Sequence, residues 1–143
     1  MSTPLYSPTP AESPNHWPAP VAAGALNAAV RIPGSKSLTN RKLVLAAIAD
    51  SPSRISAPLH SEDSERMISA LRSLGVTIEE VDGDGLFGPD LLIVPSPLRG
   101  DTVIDCGQAG TVMRFVAPLC GLATGDTVMT AHETALHRPM GAM

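Results

Sequence analysis

The 143-residue chain predicts an α/β fold of α+β character, and three observations carry the prediction. Short strand-like apolar runs alternate with runs at helical spacing. Two strand-to-helix junctions pass through glycine turns, at Gly34 and at Gly107–Gly110. Apolar residues form 43% of the chain, enough to build one domain around a core.

The elements follow in order. Residues 1–22 hold six of the fourteen prolines. They read as a disordered leader, because such a stretch cannot bury enough surface to offset its ordering entropy. Ala25–Ile32 reads as a strand ending at Pro33-Gly34. Ser37 to Ala49 reads as a helix whose "LVLAAIA" run predicts burial on nearly every face. Ser53–Pro58 alternates like a short strand. Ser61 is an N-cap ahead of Glu62 and Asp63, and Met67, Ile68, Leu71 and Leu74 recur at helical spacing until Gly75. Val76–Val81, Asp90–Ser96 and Asp101–Cys106 read as strands. Thr111–Ala123 reads as a helix ending near Gly121 or Gly125, and Asp126–Ala131 as a further strand. Pro139 then opens a helix that stops four residues later. A helix without a body reads as the interrupted start of a longer protein.

The charge pattern narrows the function. A net charge of −4 gives no general attraction to nucleic acid, and 3% aromatic residues leave little for base stacking. A basic cluster therefore points to a small anion. Cys106 and Cys120 lack zinc-ligand spacing and read as reduced, mostly buried thiols; no metal site is expected. No apolar run reaches membrane-spanning length. No Lys or Arg precedes Arg31, so a secretory signal is not expected and a cytoplasmic protein fits.

One device occurs twice. A strand ends in a glycine turn, a helix begins with hydroxyl residues, and an arginine follows one turn on. The first copy is Gly34, Ser37 and Arg41; the second is Gly110, Thr111 and Arg114. Free N–H groups and the helix dipole favour an anion there, and an arginine fork matches phosphate or carboxylate. Ser37 as a simple cap and Arg41 as a solvated charge are the plainer alternatives. Lys36, directly before Ser37, favours the anion site. The spacing does not match a nucleotide-triphosphate loop.

These residues resemble a known family. "PGSKSLTNR", "GQAGTVMRF" and "LHRPMGAM" are similar to three signatures of the EPSP synthase family, in family order, and "LHSEDSERMISALRSLGV" resembles its S-D-D helix. The likeness covers Ala25 to Met143. It implies an enolpyruvyl-transferase fold built from βαβαββ units in an inside-out α/β barrel, of which residues 23–143 would supply the first unit and part of the second. It implies transfer of the enolpyruvyl group of phosphoenolpyruvate to the 5-hydroxyl of shikimate 3-phosphate, with phosphate released. No cofactor is implied. Neither nucleic acid nor membrane is implied as a partner, and the full-length protein would be a monomer and the target of glyphosate.

By resemblance Lys36 would be catalytic, contacting phosphoenolpyruvate and moving protons. Lys36, Ser37 and Arg41 would bind shikimate 3-phosphate. Lys36, Gly110 and Arg138 would bind phosphoenolpyruvate. Thr111 and Arg114 would support the turn. Gln108 stands where the family has Asn, and Phe115 where many members have Pro. The acid and base carboxylates would lie after Met143, so the chain alone is expected to be inactive. Asp63 and Glu65 read as surface charges, and His60, His132 and His137 as packing or surface residues. A sister enzyme acting on UDP-N-acetylglucosamine would carry Lys-Asn at the first motif, unlike Lys36-Ser37. A non-catalytic anion-binding module on the same fold is the alternative from another class.

Overall fold

The computed structural model describes residues 19–138. Met1–Pro18 of the expected leader and the expected helix at Pro139 lie outside the described residues. The chain divides after Ile32 into two units.

Within the first unit, the strand expected at Ala25–Ile32 does not form. Leu26, Val30 and Ile32 are 83%, 79% and 75% exposed. Apolar composition suggested a strand, but a strand is held by its ladder and cross-strand neighbours, and this one has none among the described residues.

The second unit starts at Pro33. Helix α1 spans Lys36–Ala47 and strand β1 Ser53–Ile55; helix α2 follows at Glu62–Ser73. Strands β2 (Thr77–Val81) and β3 (Asp90–Val94) form a hairpin, and β3 lies between β1 and β2 in an antiparallel sheet. Strand β4 (Thr102–Asp105), helix α3 (Gly110–Cys120) and strand β5 (Thr127–Thr130) make a parallel βαβ unit. Helix α4 covers only Glu133–Leu136, too short to leave a periodic pattern in the sequence. The elements of this unit run in the order α1-β1-α2-β2-β3-β4-α3-β5-α4.

Helix α2 shows how local sequence sets the site. Ser61 and Ser64 form a reciprocal capping box, which fixes where the helix starts. Glu62 and Asp63 therefore stand in its first turn. Gly75, at φ +100°, ends the segment in a conformation that disfavours side chains. Between these ends Met67, Leu71 and Leu74 are fully buried. They meet Leu43 of α1, Ile78 and Ile93 of the first sheet, Ile104 of β4, and Val112 and Val116 of α3 in one continuous core. Burial of each such side chain contributes about 1.5–3 kcal/mol. Helix α1 is less enclosed than its sequence predicts. Leu43, Ala46 and Ala47 are buried, but Leu45 is 65% and Ile48 48% exposed, because α2, α3, β1 and β3 cover one flank only.

Gly34 serves packing here. A Cβ at Gly34 would collide with the carbonyl oxygen of Ala57, which also accepts the Gly34 N–H at 3.3 Å. Both cysteines are free thiols, Cys106 buried and Cys120 partly so.

Candidate functional site

The first turns of α1, α2 and α3 open into one cleft of about 560 Å³. Lys36 and Ser37 line it from α1, and Glu62 and Asp63 from α2. Gln108, Gly110, Thr111 and Arg114 come from the β4–α3 turn and α3, and Arg138 from beyond α4. Seven of the eight residues proposed from sequence thus share one space. Helices α1 and α3 begin at Ser35 and Ala109 caps that make no side-chain cap hydrogen bond. Their N–H-rich ends therefore face a cleft that already holds three cations.

The geometry is most specific around Gly110. An added Cβ there would stand 3.0 Å from a guanidinium nitrogen of Arg114 and 3.3 Å from one of Arg138. The glycine backbone thus lies bare between two arginine forks. Arg138 is held by a 2.8 Å hydrogen bond to the carbonyl of Gln108, and Arg114 donates to the carbonyl of Gly110 at 3.4 Å. The Gln108 contribution seen here is its main chain, which the change from Asn leaves intact. Thr111 accepts a 2.8 Å hydrogen bond from the buried Asn40 amide.

Arg41 is the residue that does not join the cleft. Its guanidinium carbon sits 5.9 Å from the centre of the Phe115 ring. It lines a neighbouring, mostly apolar hollow of about 360 Å³ with Val44, Leu45, Pro118 and Arg114, the last of which also lines the cleft. Arg41 and Ser37 share a helix face in the sequence, but Phe115 offers its ring one turn up.

Asp63 is the residue the sequence reading missed. It was expected to be a surface charge, yet it lines the cleft and pairs with Lys36 at 3.0 Å. The usable signal was its first-turn position after the Ser61 cap, at a helix end that faces the same space as Lys36. Glu65 is exposed, as expected. His60 bonds the carbonyl of Pro89 and His132 caps α4, so neither lines the cleft.

Beside the cleft, Arg66 contacts Glu62 at 3.2 Å and Asp105 at 2.6 Å. The Gly107 N–H and then Arg66 hold the Asp105 carboxyl below its ordinary range. Hydrogen bonds to Asp105 and Glu62 raise Arg66 above its own. Burial pushes both thiols up, away from the reactive thiolate. Among the described residues no group of three or more His, Cys, Asp or Glu could hold a metal, and no helix is long and apolar enough to cross a membrane.

The model of EPSP synthase (3-phosphoshikimate 1-carboxyvinyltransferase) matches residues 21–143. The chain belongs to the EPSP synthase family. A 3-phosphoshikimate 1-carboxyvinyltransferase of Kocuria rhizophila is 50% identical over 130 residues, which are 87% of this chain and 29% of that protein. One of Bifidobacterium longum is 43% identical over 129 residues, 88% of this chain and 28% of that protein. EPSP synthase from Acinetobacter baumannii has a similar structure. Its TM-score is 0.67 at 27% identity, over 78% of this chain and 25% of that one. The chain thus spans less than a third of the length of these relatives. Both curated relatives carry the name of the shikimate enzyme, not of the sister acting on UDP-N-acetylglucosamine.

Proposed function

We propose that this chain supplies one wall of an enolpyruvyl-transferase active site, the wall that holds phosphoenolpyruvate against shikimate 3-phosphate. In that reaction the 5-hydroxyl oxygen of shikimate 3-phosphate gives up its proton and adds to the phosphate-bearing carbon of phosphoenolpyruvate, while the methylene carbon takes a proton. Loss of phosphate and of that methyl proton then restores the enol. Two polyanions must lie side by side, so the wall must supply positive charge in fixed orientation.

The bare Gly110 backbone between Arg114 and Arg138 carries the reading. The phosphate of phosphoenolpyruvate would accept the Gly110 N–H and a fork from Arg138, with Arg114 steadying the turn. Lys36, on the facing helix end, would contact the same substrate and pass a proton as the enol carbon changes charge. Ser37 would donate to shikimate 3-phosphate, and Arg41, leaving Phe115, would take its carboxylate. The two cleft carboxylates, Glu62 and Asp63, face Arg66 and Lys36. Each carboxylate is engaged by a cation, which supports the reading that the 143-residue chain binds without turning over.

A titration tests this. Phosphoenolpyruvate should shift the backbone amide signals of Lys36 and Gly110, and shikimate 3-phosphate those of Ser37 and Arg41. No phosphate should be released when both are present. Absence of shifts at millimolar ligand in a folded sample would remove the binding reading. Sustained phosphate release would remove the statement that the chain does not turn over.

A further inference from the structure

We propose that Arg66 is a positioning residue for the anion site: by gripping Asp105 and Glu62 together it holds the Gly107–Gly110 turn in ligand-ready form. The inference rests on the reading of the cleft as a phosphoenolpyruvate site.

Arg66 does not line the cleft. It stands one helical turn after Glu62 on α2, and its guanidinium spans two carboxylates. The Nε contacts Glu62 at 3.2 Å and a terminal nitrogen contacts Asp105 Oδ2 at 2.6 Å. The other Asp105 oxygen accepts the Gly107 N–H at 2.9 Å. Gly107 has φ +51°, and any Cβ there would strike the Arg66 guanidinium. The arginine therefore fills the space beside the glycine that a side chain would need, while the carboxylate holds its amide.

The remaining ties of this turn come from β5, from His132 at the start of α4, from Arg138 on the Gln108 carbonyl, from Arg114 on the Gly110 carbonyl, and from the turn itself. Cys106 N–H reaches Thr130 at 2.8 Å, His132 N–H reaches the Gly107 carbonyl at 2.9 Å, and Ala109 N–H reaches the Cys106 carbonyl at 2.9 Å. Arg66 thus supplies the constraint from α2, the helix that also carries Asp63. Three residues beyond Gly107 comes Gly110. A shift of about 1 Å in such a turn is enough to misplace an anion contact. The second task concerns charge. Glu62 lines the cleft, and a carboxylate without a cation there would repel a phosphate. Lysine would not replace Arg66, because a point charge cannot span two carboxylates and cover Gly107 as a planar fork does.

The test uses the whole 143-residue chain, comparing Arg66→Ala, Arg66→Lys and Asp105→Asn with the wild type. Without ligand, Arg66→Ala should speed amide exchange at Gly107 and Ala109 about ten-fold, with Leu71 and Ile93 unchanged. With phosphoenolpyruvate as probe, its Kd should rise about three- to ten-fold, in keeping with a partly exposed ion pair acting at second hand. Arg66→Lys should recover only part of both effects. Adding Asp105→Asn to Arg66→Ala should change the turn little further, because both act on one linkage. The proposal is overturned if turn exchange matches the wild type, or if it rises equally at Leu71 and Ile93, the pattern of a stability role alone. Should Arg66→Ala not fold, Arg66→Lys and Asp105→Asn carry the same comparison. Should the wild type fail to bind phosphoenolpyruvate, the substrate reading falls, while exchange at the turn still decides Arg66.

Discussion

The Asn40 side-chain amide donates to Thr111 Oγ at 2.8 Å, tying α1 to α3 across 71 positions of sequence. Asn40 is fully buried and stands one turn after Ser37; Thr111 directly follows Gly110. This bond links the two helices whose first turns frame the cleft, beside the packing of Leu43, Val112 and Val116 in the shared core. Thr111→Val should cost about 1–3 kcal/mol, the penalty for leaving a buried donor unmet. Urea unfolding followed by circular dichroism would measure it. A loss below about 0.5 kcal/mol would show that the linkage contributes little beyond shape.

Gly110→Ala separates binding from stability. Gly110 is the first residue of α3 and has no positive φ, so alanine suits its backbone. The new methyl would nonetheless occupy the space between the Arg114 and Arg138 forks. Phosphoenolpyruvate affinity should fall about ten-fold, the worth of one charge-assisted hydrogen bond, with the unfolding midpoint held or raised. Unchanged affinity in a calorimetric titration would move the anion away from Gly110.

Much of this arrangement was legible before the fold was known. Ser61 and the spacing of Met67, Leu71 and Leu74 located α2, because capping and periodicity are local. The glycine turns announced the starts of α1 and α3 for the same reason. What local pattern did not reveal was non-local. The apolar run at Ala25–Ile32 has strand composition but no ladder partner among the described residues, and composition does not reveal pairing. Arg41 shares a face with Ser37 by spacing, yet the Phe115 ring on another helix takes its guanidinium. The Lys36–Asp63 pair was hidden because its partners lie on different helices, brought together only by packing.

Asp90 ties the stability of the first sheet to pH. It is buried at the start of β3, where it accepts the Ala57 N–H at 2.9 Å and Arg54 Nε at 2.9 Å. The Ala57 amide first, and then Arg54, hold its carboxyl below the usual range. A depressed folded-state pKa stabilises the fold above the unfolded value, about pH 4, and that gain is lost as pH falls through the folded value. Unfolding midpoints measured from pH 7 down to about pH 2.5 should therefore drop at the acid end. Asp90→Asn should be less stable at pH 7 and show a shallower acid decline. An equal decline in both proteins would place the acid sensitivity elsewhere.

Asp63 makes the last prediction, because it acts against the cations around it. Its carboxylate holds Lys36 at 3.0 Å, and both groups face solvent to a degree, at 27% and 49% exposure. An arriving phosphate competes with Asp63 for that ammonium and is repelled by the carboxylate itself. Removing the charge should favour a simple anion. Asp63→Asn should tighten inorganic phosphate binding about two- to five-fold at low ionic strength, the scale of one partly screened charge. The gain should shrink as salt rises and the Debye length falls toward about 3 Å at 1 M. Phosphoenolpyruvate should behave differently if Lys36 must be held in one direction to reach it. A freed Lys36 would then gain charge but lose aim, and the variant would bind phosphoenolpyruvate no better than the wild type while binding phosphate more tightly. Parallel titrations of both ligands at two salt concentrations separate the two effects. If phosphate binding weakens in Asp63→Asn, the carboxylate orients Lys36 for every anion, and its charge is not what limits affinity.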